Sequence, residues 1–336
     1  MKKAILIPFA AALLCTSLQN ANAQSGYKLT KTFHVASTGG WDYIAVDPNS
    51  NKLYLSHGTQ VNILDKATGD SLGVIPNTTG VHGIAFNESM GRGYTSNGRI
   101  NSVTVFELKT NKVVEQIATG ENPDAIMYDA FSKTIITCNG RSKDLSVIDA
   151  RTNKVIATIP VGGKPETAVS DNAGKLFVNI EDKSEIVEVD IKAAKVLNRW
   201  SIMPGESPTG LSIDLKTKRL FAGCEKKLVV IDATNGKVIT TLPIGDGCDG
   251  TAFNPKAKLI FTSNGSGTVT VIKEISANEF KVLENVVTKR GARTICIDEA
   301  THKLYLPTAE FEAQTPGEKG RPKMIAGTFQ VIVLEK

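Results

Sequence analysis

The chain has 336 residues, with 39 basic against 34 acidic side chains and a hydrophobic fraction of 41%. That balance is globular and excludes a fibrous or wholly disordered chain. The net charge of +5 is too weak to argue for nucleic acid or a membrane surface as partner.

The first element is not expected to belong to the fold. Lys2 and Lys3 precede a short apolar run over 4–14, and Ala21-Asn22-Ala23 supplies small residues before Gln24. This reads as a secretory signal peptide over 1–23, too short in its apolar part to span a bilayer. Cys15 keeps a lipoprotein signal open, although Leu13-Leu14 stand where a small residue is needed. The mature protein, 24–336, is therefore expected to be periplasmic or secreted, with no membrane span. Export permits disulfides, yet none of the cysteines sits in a CxxC pair, so a zinc or thioredoxin-type motif is lacking.

From there one pattern recurs. A short β-rich run ends on Asp47, Asn87, Asp129, Asp171, Asp214, Asn254 and Asp298, each followed by a polar turn. Asp and Asn suit such turns because their side chains bond the backbone two residues on. A second run is rich in aromatics, as in Leu53-Tyr54-Leu55 and Leu220-Phe221-Ala222. A third often ends in an acid, as in Val147-Ile148-Asp149, and a fourth follows a turn, as in Val238-Ile239-Thr240-Thr241-Leu242. Runs this short, rich in Val, Ile and Thr and bounded by turn residues, predict strands. Four strands per forty-odd residues, seven times over, predict an all-β, seven-bladed propeller in one domain.

The last unit lacks a fourth strand, and the mature chain opens with a spare one in 27–36. Pairing the two would complete blade seven and remove an open sheet edge. An open solenoid or two stacked sandwiches are the alternatives. Between the second and third strands of that blade lies a long loop, 309–328, expected on the face where the sites converge. Its Lys319, Arg321 and Lys323 could offset acids there or simply be solvated.

The elements Gly93-Tyr94-Thr95-Ser96-Asn97, Leu145-Ser146-Val147-Ile148-Asp149 and Ile159-Pro160-Val161-Gly162 resemble the YVTN-type, YncE-like propellers of exported bacterial proteins. The resemblance covers the whole mature chain. It implies the fold and leaves activity open, since related propellers range from binding modules to lyases and lactonases.

Aligning the units on their anchors exposes two polar columns. Five residues upstream stand Asp42, His82, Asp124, Glu166, Thr209, Asp249 and Arg293. The first strand of a blade lines the central channel, so this column predicts a charged ring at one mouth. At the ends of the second strands stand His57, Asn97, Asn139, Cys224, Asn264 and Thr308. Both columns converge on one face. The Asn-Gly pairs in the second are equally turn signals.

Clustered acids repel one another unless a cation relieves them. Asp124, Glu166 and Asp249 are hard oxygen ligands suited to Ca²⁺, Mg²⁺ or Mn²⁺. Asp42, His57, Asn97, Asn139 and Asn264 are candidates for holding a small ligand. His82 could act as base and Arg293 could clamp a substrate carboxylate. The favoured reading is a monomeric propeller binding a small polar or cationic molecule, with or without a metal. A metal-dependent hydrolase or lyase and a protein-interaction scaffold remain alternatives. Cys224 and Cys248 fall at ring ends of adjacent blades, as a disulfide or as two buried thiols. Serine-nucleophile, phosphate-loop and heme-attachment signatures are missing.

Overall fold

The computed structural model describes residues 24–35, 37, 39–313 and 322–336. The proposed signal peptide, Lys319 and Arg321 lie outside the described residues. The described chain folds into seven four-stranded antiparallel sheets, all but the last consecutive in sequence. The seven-bladed propeller predicted from the repeat is borne out. Blade one spans 41–75, blade two 81–118, blade three 123–160, blade four 165–201, blade five 211–243 and blade six 248–287. Blade seven combines Cys296–Ile297, Leu304–Thr308 and Gln330–Glu335 with the N-terminal strand Lys28–His34. Lys28 pairs with Glu335 and His34 with Gln330, which closes the ring as expected.

The anchor residues do what their chemistry predicts. The backbone N–H of Asn49 donates to Asp47 Oδ1 at 2.9 Å, that of Lys216 to Asp214 Oδ1 at 2.8 Å and that of Ala300 to Asp298 Oδ1 at 3.1 Å. Each acid thereby tightens the turn between the first and second strands at the far end of the propeller.

The core lies between blades. In blade three the second strand, Thr134–Asn139, is buried at every position, whereas the fourth, Lys154–Pro160, is mostly exposed. One apolar cluster joins Ile136, Leu145 and Val147 to Leu176, Val178 and Val187 of the next blade. A blade can bury both faces only by stacking on two neighbours, so closure of the ring supplies the last missing contact. No helix among the described residues is long and apolar enough to cross a membrane. Cys138, Cys224 and Cys248 are buried free thiols and Cys296 a partly buried one, so the Cys224–Cys248 pair is not bridged. Burial holds the Cys224 thiol up at about 12.

Candidate functional site

The first strands point their opening residues into the channel mouth. Asp42, His82, Asp124, Glu166 and Asp249 all stand there on first strands. Thr209 and Arg293 come from the segments just before theirs. Hydroxyls of adjoining chain fix the backbone of this ring. Thr294 Oγ1 donates to the carbonyl of Asp42 at 2.6 Å. Ser96 Oγ donates to the carbonyl of Asp124, and Ser263 Oγ to that of Arg293. Each of these bonds crosses from one blade to the next.

Within the ring the charges sort into pairs. Arg293 lies between two acids, with Nη2 3.1 Å from Asp42 Oδ1 and Nε 2.9 Å from Asp249 Oδ2. Lys164 Nζ lies 2.5 Å from Glu166 Oε1 and also contacts Glu181. His82 Nδ1 is 2.6 Å from Asp42 Oδ2 and 3.7 Å from Asp124 Oδ1.

Asp124 is the member left over. Its Oδ1 is buried and has no hydrogen-bond partner among the described residues, and its side chain is 14% exposed. Beneath it the channel turns apolar, with a cavity of about 150 Å³ lined by Ile44, Ile84, Ile126 and Cys138. Burial, together with the charges of Asp42 and Asp249, pushes the Asp124 carboxyl up to about 7 against the pull of His82. Burial likewise raises Asp249 despite Arg293, and burial and the charge of Asp124 raise Glu166 despite Lys164. Burial alone would lower His82. Its bond to Asp42 and the nearby charge of Asp124 outweigh that and hold it above its ordinary value. A buried carboxylate oxygen without a hydrogen-bond donor, whose ion-pair partner His82 Nδ1 at 3.7 Å is shared with Asp42, is in a condition a bound cation relieves. One ligand atom each from Asp42, His82 and Asp124 lie within 4.8 Å of one another.

The second polar column turns its side chains into the blades. Asn97, Asn139 and Asn264 are fully buried and His57 nearly so. Asn139 accepts from Thr137 Oγ1 at 2.9 Å and donates to Asp144 Oδ1 at 2.7 Å and Ser146 Oγ at 2.9 Å. Asn97 repeats the pattern with Thr95, Ser102 and Thr104, and Asn264 with Thr262, Thr268 and Thr270. His57 Nε2 donates to Gly39 O at 3.0 Å, and its Nδ1 accepts from Ser37 Oγ. The three asparagines tie the second strand to the third inside their own blades, and His57 ties its strand to the segment ahead of blade one. They leave the mouth to the first column.

Three contributors escaped the sequence reading. Lys164 stands two residues ahead of Glu166 and belongs to no repeated position. Arg99 and Arg141 follow Gly98 and Gly140 in the turns of blades two and three. They line a cavity of about 710 Å³ over the mouth, together with Asp42, His82, Asn122 and Arg293. The long loop does reach this face. Phe311 and Pro322 line an adjoining cavity of about 510 Å³ with Trp41, Asp249 and Arg293, and the Phe311 ring lies 6.0 Å from that of Trp41. Lys323 pairs with Glu312 at 3.0 Å within the loop.

Comparison with solved structures places the fold among propellers of varied role. A chain titled Kuenenia stuttgartiensis hydrazine synthase superposes with a TM-score of 0.72 at 17% identity, covering 81% of this chain and 94% of that one. The WD40 repeats of RRP9 superpose with a TM-score of 0.77 at 9% identity, covering 91% and 97%. The structure of U3-55K gives 0.75 at 9% identity, covering 90% and 97%. At such identities the likeness is one of fold. No curated protein matches the chain. The family model described as the cytochrome D1 heme domain matches residues 47–290, which span six of the seven anchors and most of the mouth, and the chain belongs to that family.

Proposed function

We propose that this propeller is a binding module whose channel mouth takes up a cation at Asp42, His82 and Asp124. The observation that carries this reading is the buried Asp124 Oδ1, without a hydrogen-bond partner among the described residues, facing an imidazole and a second carboxylate. Two carboxylates and one imidazole favour Mn²⁺ over the harder Ca²⁺ and Mg²⁺. The oxygen-only set of Asp124, Glu166 and Asp249 suits the reading less, because among the described residues its ligand atoms do not gather within 4.8 Å of one another as those of Asp42, His82 and Asp124 do. Titration calorimetry of metal-free protein with Mn²⁺, Ca²⁺ and Mg²⁺ tests it. Binding should be strongest for Mn²⁺ and lost in Asp124→Asn; wild-type protein that binds none of the three would overturn the metal form of the reading.

The family name raises a heme, and the mouth does not fit one. Heme iron takes an axial ligand such as a histidine nitrogen with open space before it. His57 has both nitrogens engaged. His82 Nδ1 lies between Asp42 and Asp124, where there is room for a small ion but not for a macrocycle, and its Nε2 edge packs on the backbone of Gly98, where a Cβ would stand 2.7 Å from that nitrogen. A macrocycle could not reach Nε2 without displacing that turn.

Within the family we read the chain as YncE-like, on the repeat elements around Tyr94, Val147 and Pro160. We read it as exported on the charged and apolar pattern of 1–23. N-terminal sequencing of protein recovered outside the cytoplasm should begin at Gln24.

A further inference from the structure

The cavity over the mouth is not uniform in charge. At its base Asp42 stands with His82 and Arg293, and Asp124 lies within 4.8 Å of Asp42 and His82 just outside the lining, while its wall over blades two and three is basic, with Arg99 and Arg141. The equivalent turns of blades four and five carry Glu181, Asp182 and Glu225 instead. The basic wall is held in place by backbone. Gly80, at φ +73°, passes directly beneath Arg99, and a Cβ there would stand 2.5 Å from Arg99 Cγ. Only glycine suits that conformation while leaving room for the arginine stem. Between the two arginines stands Asn122. Its backbone N–H donates to Asn101 Oδ1 at 2.9 Å. Its amide spans from the Gly98 turn to the Gly140 turn, with a Cβ at those glycines falling 2.9 Å from Oδ1 and 3.4 Å from Nδ2. Arg99 and Arg141 have no ion-pair partner among the described residues, unlike Arg293 and Lys164 lower in the mouth.

Two guanidiniums flanking an amide form a carboxylate-binding wall. Facing Asp42 across one cavity, with Asp124 beside it, they select a ligand carrying charges of both signs at its two ends. We propose that the cavity takes a small carboxylate-bearing molecule, its carboxylate on Arg99, Asn122 and Arg141 and its positive end on Asp42 and Asp124. The proposal rests on the cation reading above and adds the chemical class of what arrives with the cation. The positive end is either the ligand's own ammonium, as in an ω-amino acid, or a metal ion that a second carboxylate of the ligand binds.

The test uses the full mature protein, wild type and the double variant R99Q/R141Q, whose changed side chains are exposed and outside the core. Three titrations are read by calorimetry: Mn²⁺ alone, γ-aminobutyrate without metal, and succinate with and without Mn²⁺. The double variant should bind Mn²⁺ as wild type does and bind the organic probe at least about tenfold more weakly, with a smaller dependence on salt. Binding of γ-aminobutyrate without metal identifies the ammonium form; binding of succinate only with Mn²⁺ identifies the metal form. The proposal falls if neither probe binds wild type at about 10 mM, or if the double variant binds the probe unchanged. Failure of Mn²⁺ alone, with γ-aminobutyrate bound and lost in the double variant, removes the metal and leaves this proposal standing.

Discussion

Two polar columns run round this propeller a few residues apart, and they differ in one respect. In the column of Asn97, Asn139 and Asn264, donors and acceptors meet partners inside the blade. In the column of Asp42, His82, Asp124, Glu166 and Asp249, like charges crowd together and one buried oxygen has no hydrogen-bond partner among the described residues. Both repeat with the blade and both are polar. The first is satisfied by the chain itself. The second is stable only as far as it can protonate or be met from outside, and that is what separates a structural repeat from a binding one.

The largest expected effect breaks the first column. Asn139→Ala leaves Thr137, Asp144 and Ser146 without their shared partner in a buried site, at a cost of about 2–3 kcal/mol. Chemical denaturation should read that loss while Mn²⁺ affinity stays at the wild-type value. Loss of affinity without loss of stability would reverse the assignment of the two columns.

The second column should respond with the opposite sign. Asp124→Asn removes a buried charge that repels its neighbours, so metal-free protein should gain about 1 kcal/mol at pH 8 while cation binding disappears. A destabilised variant would mean that the 3.7 Å ion pair of Asp124 with His82 outweighs the cost of burying its charge.

The pH dependence follows from the same carboxyl. Its value in the fold, about 7, lies above the ordinary carboxylate range, so the native state holds its proton where the unfolded chain has released it. Stability from this group is full below about pH 4 and is lost as pH rises through about 7. His82, also raised, acts in the same direction. The melting temperature of metal-free protein should therefore fall between about pH 5 and 8, and added Mn²⁺ should offset the fall most at the upper end. Asp124→Asn should flatten the profile.

The contrast between the columns also marks where sequence reading reached its limit. The repeat was legible because turn chemistry recurs at each anchor, and the ring followed because first strands must line the axis. The Asn column shares its end of the blade with the first column, which points to the mouth, and second strands are buried on both faces, as Thr134–Asn139 is throughout. No period-2 alternation then separates a side chain turned toward the ligand from one turned into the blade. Lys164 was missed because its charge reaches Glu166 from outside the column. Arg99 and Arg141 were missed because they sit in turns, where only two of the seven units carry arginine at that place.

The smallest effect distinguishes ring members that bind from ring members that only balance charge. Ser96 and Ser263 occupy equivalent places in blades two and six, each donating to the carbonyl of a ring residue in the next blade, Asp124 and Arg293 respectively. Each also serves its own blade, Ser96 by accepting from Gly83 N–H and Ser263 by donating to Gly250 O. Replacing either by Ala removes the same kind of bond, so the two stability losses should agree at about 1 kcal/mol each. Their effects on binding should not agree. Ser96→Ala frees the backbone of a cation ligand and should weaken Mn²⁺ a few-fold, whereas Ser263→Ala loosens Arg293, which touches the site only through Asp42, and should leave the affinity near wild type. Equal weakening in both variants would mean that the ring acts as one electrostatic unit and that Asp42, His82 and Asp124 hold no separate place within it.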